Sequence, residues 1–139
     1  MKKNEPITKI ATKNPYSVHT GQKLSEVRHL FKEKGVHHCP VVSGDKLIGI
    51  ISATDILALS FEAFGTDERS IDSVLDNRFT IEEVMQADVV SVLENDTVRK
   101  AAEILSEGRF HSLPVVSSQG ELKGIVTSTD LIRYLVDQY

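Results

Sequence analysis

The sequence is poor in the features that mark secreted and membrane proteins. It contains one cysteine, Cys39, in 139 residues, so no internal disulfide can form and a reducing compartment suits the chain. Met1 to Ile10 carries lysines but no apolar stretch like that of a signal peptide, and no run approaches the ~18 apolar residues of a membrane span. We therefore expect a cytoplasmic protein with no membrane partner.

Positive charge is also scarce. Lys and Arg total 16 against 20 Asp and Glu, which gives a formal net charge of −4. A basic arm for nucleic acid normally combines clustered lysines with interleaved aromatics, whereas Lys2, Lys3, Lys9 and Lys13 are widely spaced and only 6% of the residues are aromatic. We expect no nucleic-acid partner. The 40% hydrophobic and 26% charged content is typical of an ordinary globular domain.

The chain contains an internal duplication. The first half matches the second at a shift of 74 residues, and after one extra residue in the second copy the shift becomes 75. The identities include Pro40-Val41-Val42-Ser43 with Pro114-Val115-Val116-Ser117, Gly49-Ile50 with Gly124-Ile125, and Thr54-Asp55 with Thr129-Asp130. Many other pairs keep their apolar character, so the two copies are expected to share one fold.

Each copy has the pattern of a strand, a helix, two strands and a second helix. Apolar residues at helical spacing predict the first helices, and Gly35 and Gly108 lie where those helices should end. The predicted strands are Tyr16–Val18, Pro40–Val42 and Leu47–Ser52 in copy one, and Val89–Val92, Pro114–Val116 and Leu122–Thr127 in copy two. The second helices are expected to start at Ala53 and Ser128.

The predicted fold class is α/β (α+β), built from two β-α-β-β-α repeats. Repeat one is assigned to 1–64 and repeat two to 81–139, and 65–80 is a polar linker with a short helical piece. A unit of about 55–60 residues is small for a free-standing core. The repeats are therefore expected to pack as one module with pseudo-two-fold symmetry, which would place equivalent clefts between them.

One turn in each copy carries the chemistry of a binding site. Ser52-x-x-Asp55 and Thr127-x-x-Asp130 lie where a strand turns into a helix. The N–H groups of a helix N-terminus can receive a phosphate, and a carboxylate can accept two hydrogen bonds from a ribose diol. The same pattern is also that of a capping box, in which the two side chains only close the helix end. The two interpretations remain open on this spacing alone.

His37-His38-Cys39 combines residue types that bind zinc, but its geometry argues against a metal. Neighbouring residues of a strand point to opposite faces, and copy two has Ser112-Leu113 in place of the last two. We expect no metal site and a buried, unreactive Cys39. No residue stands out as an activated nucleophile, so we expect no enzyme activity and no required cofactor.

The residues Gly49-Ile50-Ile51-Ser52-Ala53-Thr54-Asp55 and Gly124-Ile125-Val126-Thr127-Ser128-Thr129-Asp130 resemble the ligand motif of the cystathionine-β-synthase (CBS) domain family. That motif is Gly, apolar, any, Ser/Thr, any, any, Asp, and both copies match it throughout. His37-x-x-Pro40 and His111-x-x-Pro114 resemble the second strand of that family. The resemblance covers residues from about 5 to 137 and implies a tandem pair, or Bateman module.

The resemblance implies a regulatory ligand that contains adenosine: AMP, ADP or ATP, with S-adenosylmethionine as an alternative. The residues it assigns to ribose and phosphate are Ser52, Thr54, Asp55, Thr127, Thr129, Asp130, His37 and His111. Those it assigns to adenine are Thr12, Tyr16, Cys39, Gln86, Val90 and Leu113. Copy one has Ala11-Thr12 where copy two has Met85-Gln86, so the two sites should differ in adenine fit.

These features lead to the hypothesis of a cytoplasmic sensor, homodimeric as the family suggests, that binds an adenine nucleotide and regulates an effector protein in trans. The limited positive charge near the motifs favours one occupied site or a singly phosphorylated ligand. The alternative is a protein-interaction scaffold that binds no ligand and uses its motifs only to cap helices.

Overall fold

A computed structural model of the protein describes residues 4–61 and 67–139. The described chain forms two compact units. The first unit contains residues from Tyr16–Gly44 and Ile48–Val89, and the second contains residues 4–15, 45–47 and 90–139. Lys2, Lys3 and the predicted repeat boundary at residue 64 lie outside the described residues.

The elements follow the order expected from the sequence, with a few additional short ones. A 3-10 turn at Ile7–Lys9 opens the described chain. In chain order the remaining elements are β1 Thr12–Lys13, β2 Val18–His19, α1 Leu24–Lys34, β3 His38–Ser43, β4 Lys46–Ser52, α2 Ala53–Ser60, α3 Glu68–Arg78, α4 Ile81–Val84, β5 Val92–Leu93, α5 Val98–Ser106, β6 Ser112–Val116, β7 Leu122–Thr127 and α6 Ser128–Asp137.

The first unit is built on a three-stranded sheet in the order β2-β3-β4, with β2 parallel to β3. Helix α1 buries Leu24 and Val27 against this sheet and ends at Gly35, whose φ of 67° is the left-handed conformation that glycine adopts without strain. The core of the first unit consists of buried side chains from the sheet and from helices α1 to α4, namely Val18, Leu24, Val27, Cys39, Val41, Ile51, Ile56, Leu75 and Ile81.

The second unit repeats this arrangement on a four-stranded sheet in the order β1-β7-β6-β5. Strand β5 runs parallel to β6, and β6 runs antiparallel to β7. Thr97 caps α5 by accepting a hydrogen bond from the N–H of Lys100 at 3.2 Å, and Gly108 follows the helix with a φ of 80°. Its core is formed by Ile7, Val92, Ala101, Leu105, Leu113, Val115 and Val126.

The compact units and the sequence repeats differ because the opening segments of the repeats are exchanged. Ile7 is fully buried in the second unit, and Thr12 in β1 pairs with Ile125 in β7. The matching segment of repeat two belongs to the first unit, where Ile81 is buried and Gln86 pairs with Ile50 through backbone hydrogen bonds of 2.8 and 3.1 Å. Each unit is therefore completed by a segment from the other repeat.

The motif glycines allow this exchange. A Cβ atom on Gly124 would lie 2.8 Å from the carbonyl oxygen of Thr12, and a Cβ atom on Gly49 would collide with the side chain of Met85. The exchanged segment lies so close to the motif strand that no larger residue fits without displacement. This packing, within the protein itself, explains why the motif has glycine at these positions.

Helix α3, predicted as the helical piece of the linker from Ile71, Val74 and Leu75, packs against α1 in the first unit. Its Asp72 joins two residues of α1. The carboxylate accepts hydrogen bonds from Arg28 Nε at 2.7 Å and contacts His29 Nε2 at 2.6 Å. Partial burial raises the pKa of Asp72, but the hydrogen bonds and charges of Arg28 and His29 outweigh this and hold it below its ordinary value.

The structure confirms the predicted mixed α/β class with two repeats. The central strands and both second helices lie where expected, whereas β2 and β5 begin two to three residues later than Tyr16 and Val89. Strand β1 and α4 were not predicted, because segments of two to four residues carry too little periodicity to be recognised. Within residues 4–61 and 67–139, no helix combines the length and apolar character that a membrane crossing requires.

Candidate functional site

The Ser52–Asp55 turn of the first unit starts α2 and forms a reciprocal cap. Ser52 Oγ accepts a hydrogen bond from the N–H of Asp55 at 3.1 Å, and Asp55 Oδ2 accepts one from the N–H of Ser52 at 3.0 Å. The N–H of Ala53 donates to the carbonyl of His37 at 2.8 Å. Asp55 is exposed, so a ligand in solvent can reach its carboxylate without rearrangement of the core.

The Thr127–Asp130 turn of the second unit has the same geometry. Thr127 Oγ1 accepts from the N–H of Asp130 at 3.2 Å, and Asp130 Oδ2 accepts from the N–H of Thr127 at 2.8 Å. Ser128 N–H donates to the carbonyl of His111 at 3.0 Å. The Asp130 side chain is only 15% exposed, and its Oδ1 lies 3.8 Å from Arg133 Nη1.

Both motifs therefore cap their helices, as the capping alternative requires. This does not remove their capacity to bind. Of the first N–H groups of each helix, the described hydrogen bonds engage those of the cap residue and of the first and third helical residues. They do not include the second helical residue, which is Thr54 or Thr129, and that N–H is a donor suited to an anion.

The structure brings both predicted histidines to these turns. The carbonyl groups of His37 and His111 bond to the first residue of α2 and α6, and both imidazoles are exposed. Each imidazole is therefore attached to the backbone position directly next to a helix N-terminus. An imidazole placed there can donate a hydrogen bond to an anion in the turn.

The residues predicted for adenine are divided between the units by the exchange of opening segments. Thr12 belongs to the second unit with Val90 and Thr127, whereas Gln86 belongs to the first unit with Tyr16 and Ser52. Tyr16 is 49% exposed, and Lys34 Nζ lies 5.8 Å from its ring centroid. Sequence reasoning placed Thr12 in copy one and could not predict that it would pair with the motif strand of copy two.

Two other adenine candidates have their side chains in the protein core. Cys39 and Leu113 are fully buried in the two clusters, so only their backbone groups remain available to a ligand. Burial raises the pKa of the Cys39 thiol to about 12, which makes it a poor nucleophile and a poor metal ligand. In the part of the chain that the structure describes, no three His, Cys, Asp or Glu side chains form a group that could hold a metal ion.

A groove in the second unit was missed by the sequence analysis. It has a volume of about 450 Å³, and its lining residues are Glu5, Lys9, Ile10, Asp130, Arg133, Tyr134, Asp137 and Gln138. Asp130 is the only motif residue among them. The groove lies between residues from the exchanged opening segment and helix α6, and its charged residues other than Asp130 follow no motif. The sole signal in the sequence is that Lys9 and Arg133 correspond to Glu83 and Ala58 in the other copy.

Comparison with known proteins identifies one recurring domain. A family model described as "CBS domain" matches the chain twice, at residues 7–62 and 81–137. The uncharacterized protein MJ1225 of Methanocaldococcus jannaschii is 31% identical over 132 residues, which is 94% of this chain and 47% of that protein. Its crystal structure has a TM-score of 0.80 to this chain, with 30% identity, and the match covers 97% of this chain and 49% of that chain.

Two further crystal structures cover almost the full length of both chains compared. The CBS domain pair of protein MJ0100, in complex with 5′-methylthioadenosine and S-adenosyl-L-methionine, is 27% identical, with a TM-score of 0.78 and coverage of 96% of this chain and 98% of that one. CBSX2 of Arabidopsis thaliana, in complex with AMP, has a TM-score of 0.80 and 24% identity over 96% of this chain and 98% of that chain, which shows a shared fold. The chain spans about half the length of MJ1225 and less of several other curated relatives.

Proposed function

This chain belongs to the CBS domain family and contains two copies of the domain, and from that premise we propose that it is a regulatory protein that binds an adenosine derivative at its Ser/Thr-x-x-Asp turns. The adenine nucleotides AMP, ADP and ATP are the proposed ligands, and S-adenosylmethionine is the alternative. The observation that carries the proposal is the pair of turns themselves: each places a carboxylate, a hydroxyl and an open helix N–H within one strand-to-helix corner.

The ligands of one relative support the adenosine part of the proposal. The MJ0100 domain pair, 27% identical to this chain, holds 5′-methylthioadenosine and S-adenosyl-L-methionine, and both contain adenosine. In this chain the carboxylates of Asp55 and Asp130 would accept hydrogen bonds from the ribose hydroxyls, as an acidic residue does in dinucleotide-binding folds. The helix N-terminus, with Thr54 or Thr129 as the open donor, would face the anionic end of the ligand.

Regulation of a partner is the second part of the proposal. A ligand changes the state of a protein only through different affinities for its conformations, and here the cap hydrogen bonds of Asp55 and Asp130 are the contacts that a bound ribose would share. Helix α6 exposes Ile132, Leu135 and Val136, which gives that helix an apolar surface for a second copy or an effector. A cytoplasmic homodimer that acts on another protein is the proposed form.

Thermal unfolding with and without ligand tests the proposal. At about 100 times its dissociation constant, a ligand specific for the folded state adds roughly 2.7 kcal/mol, so AMP, ADP, ATP or S-adenosylmethionine should raise the melting temperature by several degrees. Asp55→Ala combined with Asp130→Ala should abolish this shift while the protein still unfolds cooperatively. As a control, Asp67→Ala removes a carboxylate that caps α3 outside both turns.

Two outcomes would overturn the proposal. If none of the four compounds shifts the melting temperature, the motifs serve only as helix caps and the protein is a scaffold. If calorimetry gives the same affinity for the double variant as for the unaltered protein, the ligand binds elsewhere. The buried Cys39 argues against nucleophilic catalysis, and we propose no enzyme activity.

A further inference from the structure

The groove of the second unit gives the Thr127–Asp130 turn charged surroundings that differ from those of the Ser52–Asp55 turn. Its lining includes Asp130, so a nucleoside whose ribose hydroxyls bind that carboxylate would border the groove. The volume of about 450 Å³ lies in the range of small-molecule sites. The groove is therefore placed and sized to receive the charged substituent of such a ligand.

Two basic side chains of the groove, Lys9 and Arg133, can exchange their present ion-pair partners for an anionic ligand. Lys9 Nζ is 3.0 Å from Glu5 Oε1, and Arg133 Nη1 is 3.8 Å from Asp130 Oδ1. The side chains of Lys9 and Arg133 are 59% and 75% exposed, so solvent weakens both present contacts. When ribose hydroxyls occupy Asp130, Arg133 loses its partner and its guanidinium can bind a phosphate in a bidentate manner.

The carboxylates of the groove limit how much negative charge it accepts. Glu5, Asp130 and Asp137 outnumber Lys9 and Arg133, so the lining carries a net charge of −1. Asp130 lies in the first turn of α6 and Asp137 in the last, about 10 Å apart along the axis. The end of the groove at Asp137 also faces the negative end of the helix dipole. A phosphate near Arg133 is favoured, and a longer phosphate chain approaching Asp137 is repelled.

We propose that this groove is the phosphate site of the second unit, that Lys9 and Arg133 are its phosphate-binding cations, and that Glu5 and Asp137 restrict it to a monophosphate, so that AMP binds in preference to ADP and ATP. The inference rests on the proposed function, because it assumes that Asp130 holds the ribose. It adds the residues that choose among the nucleotides.

The first unit does not offer the same site. At the positions of Lys9 and Arg133 it has Glu83 and Ala58, so one cation is replaced by an anion and the other by a methyl group. Glu83 is exposed in α4 and would face an incoming phosphate with like charge. One nucleotide per chain follows from this difference.

Calorimetric titration of the full chain with adenosine, AMP, ADP and ATP tests the inference. The unaltered protein should bind AMP about tenfold more tightly than adenosine, with one site per chain, and should bind ATP no more tightly than AMP. Arg133→Gln and Lys9→Gln should each lower the ratio of AMP to adenosine affinity, by about tenfold for Arg133→Gln. Arg99→Gln removes an exposed cation of α5 in the same unit and should leave that ratio unchanged.

Removal of the limiting carboxylates gives the opposite result. Asp137→Asn should raise ATP affinity severalfold relative to AMP, and Glu5→Gln should act in the same direction. Because Glu5 is buried and its variant could unfold, the exposed Asp137 provides the decisive measurement. Adenosine and AMP bound equally well, or ATP bound more tightly than AMP, would overturn this inference while leaving adenosine binding intact. No binding of any of the four compounds would instead overturn the proposed function.

Discussion

The Ser52–Asp55 and Thr127–Asp130 turns have the same sequence pattern and the same reciprocal cap, yet their surroundings differ. In the first unit the carboxylate of Asp55 is exposed, with Glu83 and Ala58 at the positions equivalent to the groove cations. In the second unit the Asp130 side chain is 15% exposed and borders a groove that is also lined by the basic side chains of Lys9 and Arg133. The two copies keep the same backbone geometry at these turns, because packing requires it, whereas the surface charges around the turns differ.

Substitution of the motif glycines by alanine is expected to have the largest effect on folding stability, and the size of that effect should differ most clearly between the two units. Gly124→Ala would place a methyl group 2.8 Å from a backbone oxygen of Thr12, so β1 would have to move, at a cost of about 2–3 kcal/mol. Gly49→Ala meets the flexible side chain of Met85 and should cost less than half as much. Urea unfolding of both variants measures the difference. Equal costs would show that the two exchanged segments are held in the same way.

Single substitutions of the motif aspartates compare the two units as binding sites. Asp55→Ala and Asp130→Ala each remove the same cap hydrogen bond, so both should lower the stability of the fold by a similar amount. Only Asp130→Ala should weaken AMP binding, by at least tenfold, which corresponds to about 1.4 kcal/mol. Calorimetry with AMP provides the measurement. A larger loss for Asp55→Ala would reverse the assignment of the occupied unit.

The smallest expected effect concerns an ion cluster found in the first unit. Asp72→Asn leaves the largely buried Arg28 without its anionic partner and should lower the stability of that unit by about 1 kcal/mol at pH 7. The pKa of Asp72 is lowered in the folded state, so its contribution is complete above the unfolded value of about 3.9 and is lost as the pH falls through the folded value.

The pH dependence and a matched pair supply the control for that prediction. The destabilisation caused by Asp72→Asn should diminish below about pH 4, since protonation of Asp72 abolishes the same charge in the unaltered protein. Glu103→Gln breaks the exposed Arg99–Glu103 pair of the second unit and should cost at most about 0.5 kcal/mol. Unfolding curves at pH 3 and pH 7 test both. A cost for Glu103→Gln as large as that for Asp72→Asn would contradict the role assigned to burial.

Much of the fold was predictable from local patterns. Apolar residues at helical spacing identified α1 and α5, and Gly35 and Gly108 identified their ends, because a left-handed residue there favours glycine whatever surrounds it. The strands β3, β4, β6 and β7 followed from dense β-branched residues. The short β1 and α4 were not predictable, since their structure comes from the strand and cluster against which they pack.

Part of the candidate site was also predictable from the sequence, and part was not. The two turns were found from their spacing, because a strand-to-helix corner is formed by consecutive residues, and the neighbouring histidines were found from the resemblance to the CBS domain family. The partners of those turns were not, since Thr12 reaches the second unit and Gln86 the first through exchange of opening segments. The sequence analysis did not predict the basic residues of the groove for a related reason: Lys9 and Arg133 are far apart in the chain and belong to no motif.

The sequence by itself determined the duplication, the α/β elements of each repeat, the membership in the CBS domain family and the two capping turns, because each of these depends on residues close together in the chain. Only the tertiary structure decided which opening segment completes which unit, that Cys39 and Leu113 lie inside, and that Lys9 and Arg133 share a groove with Asp130. These features depend on contacts between distant residues, and such contacts are fixed by packing of the whole unit rather than by local preference.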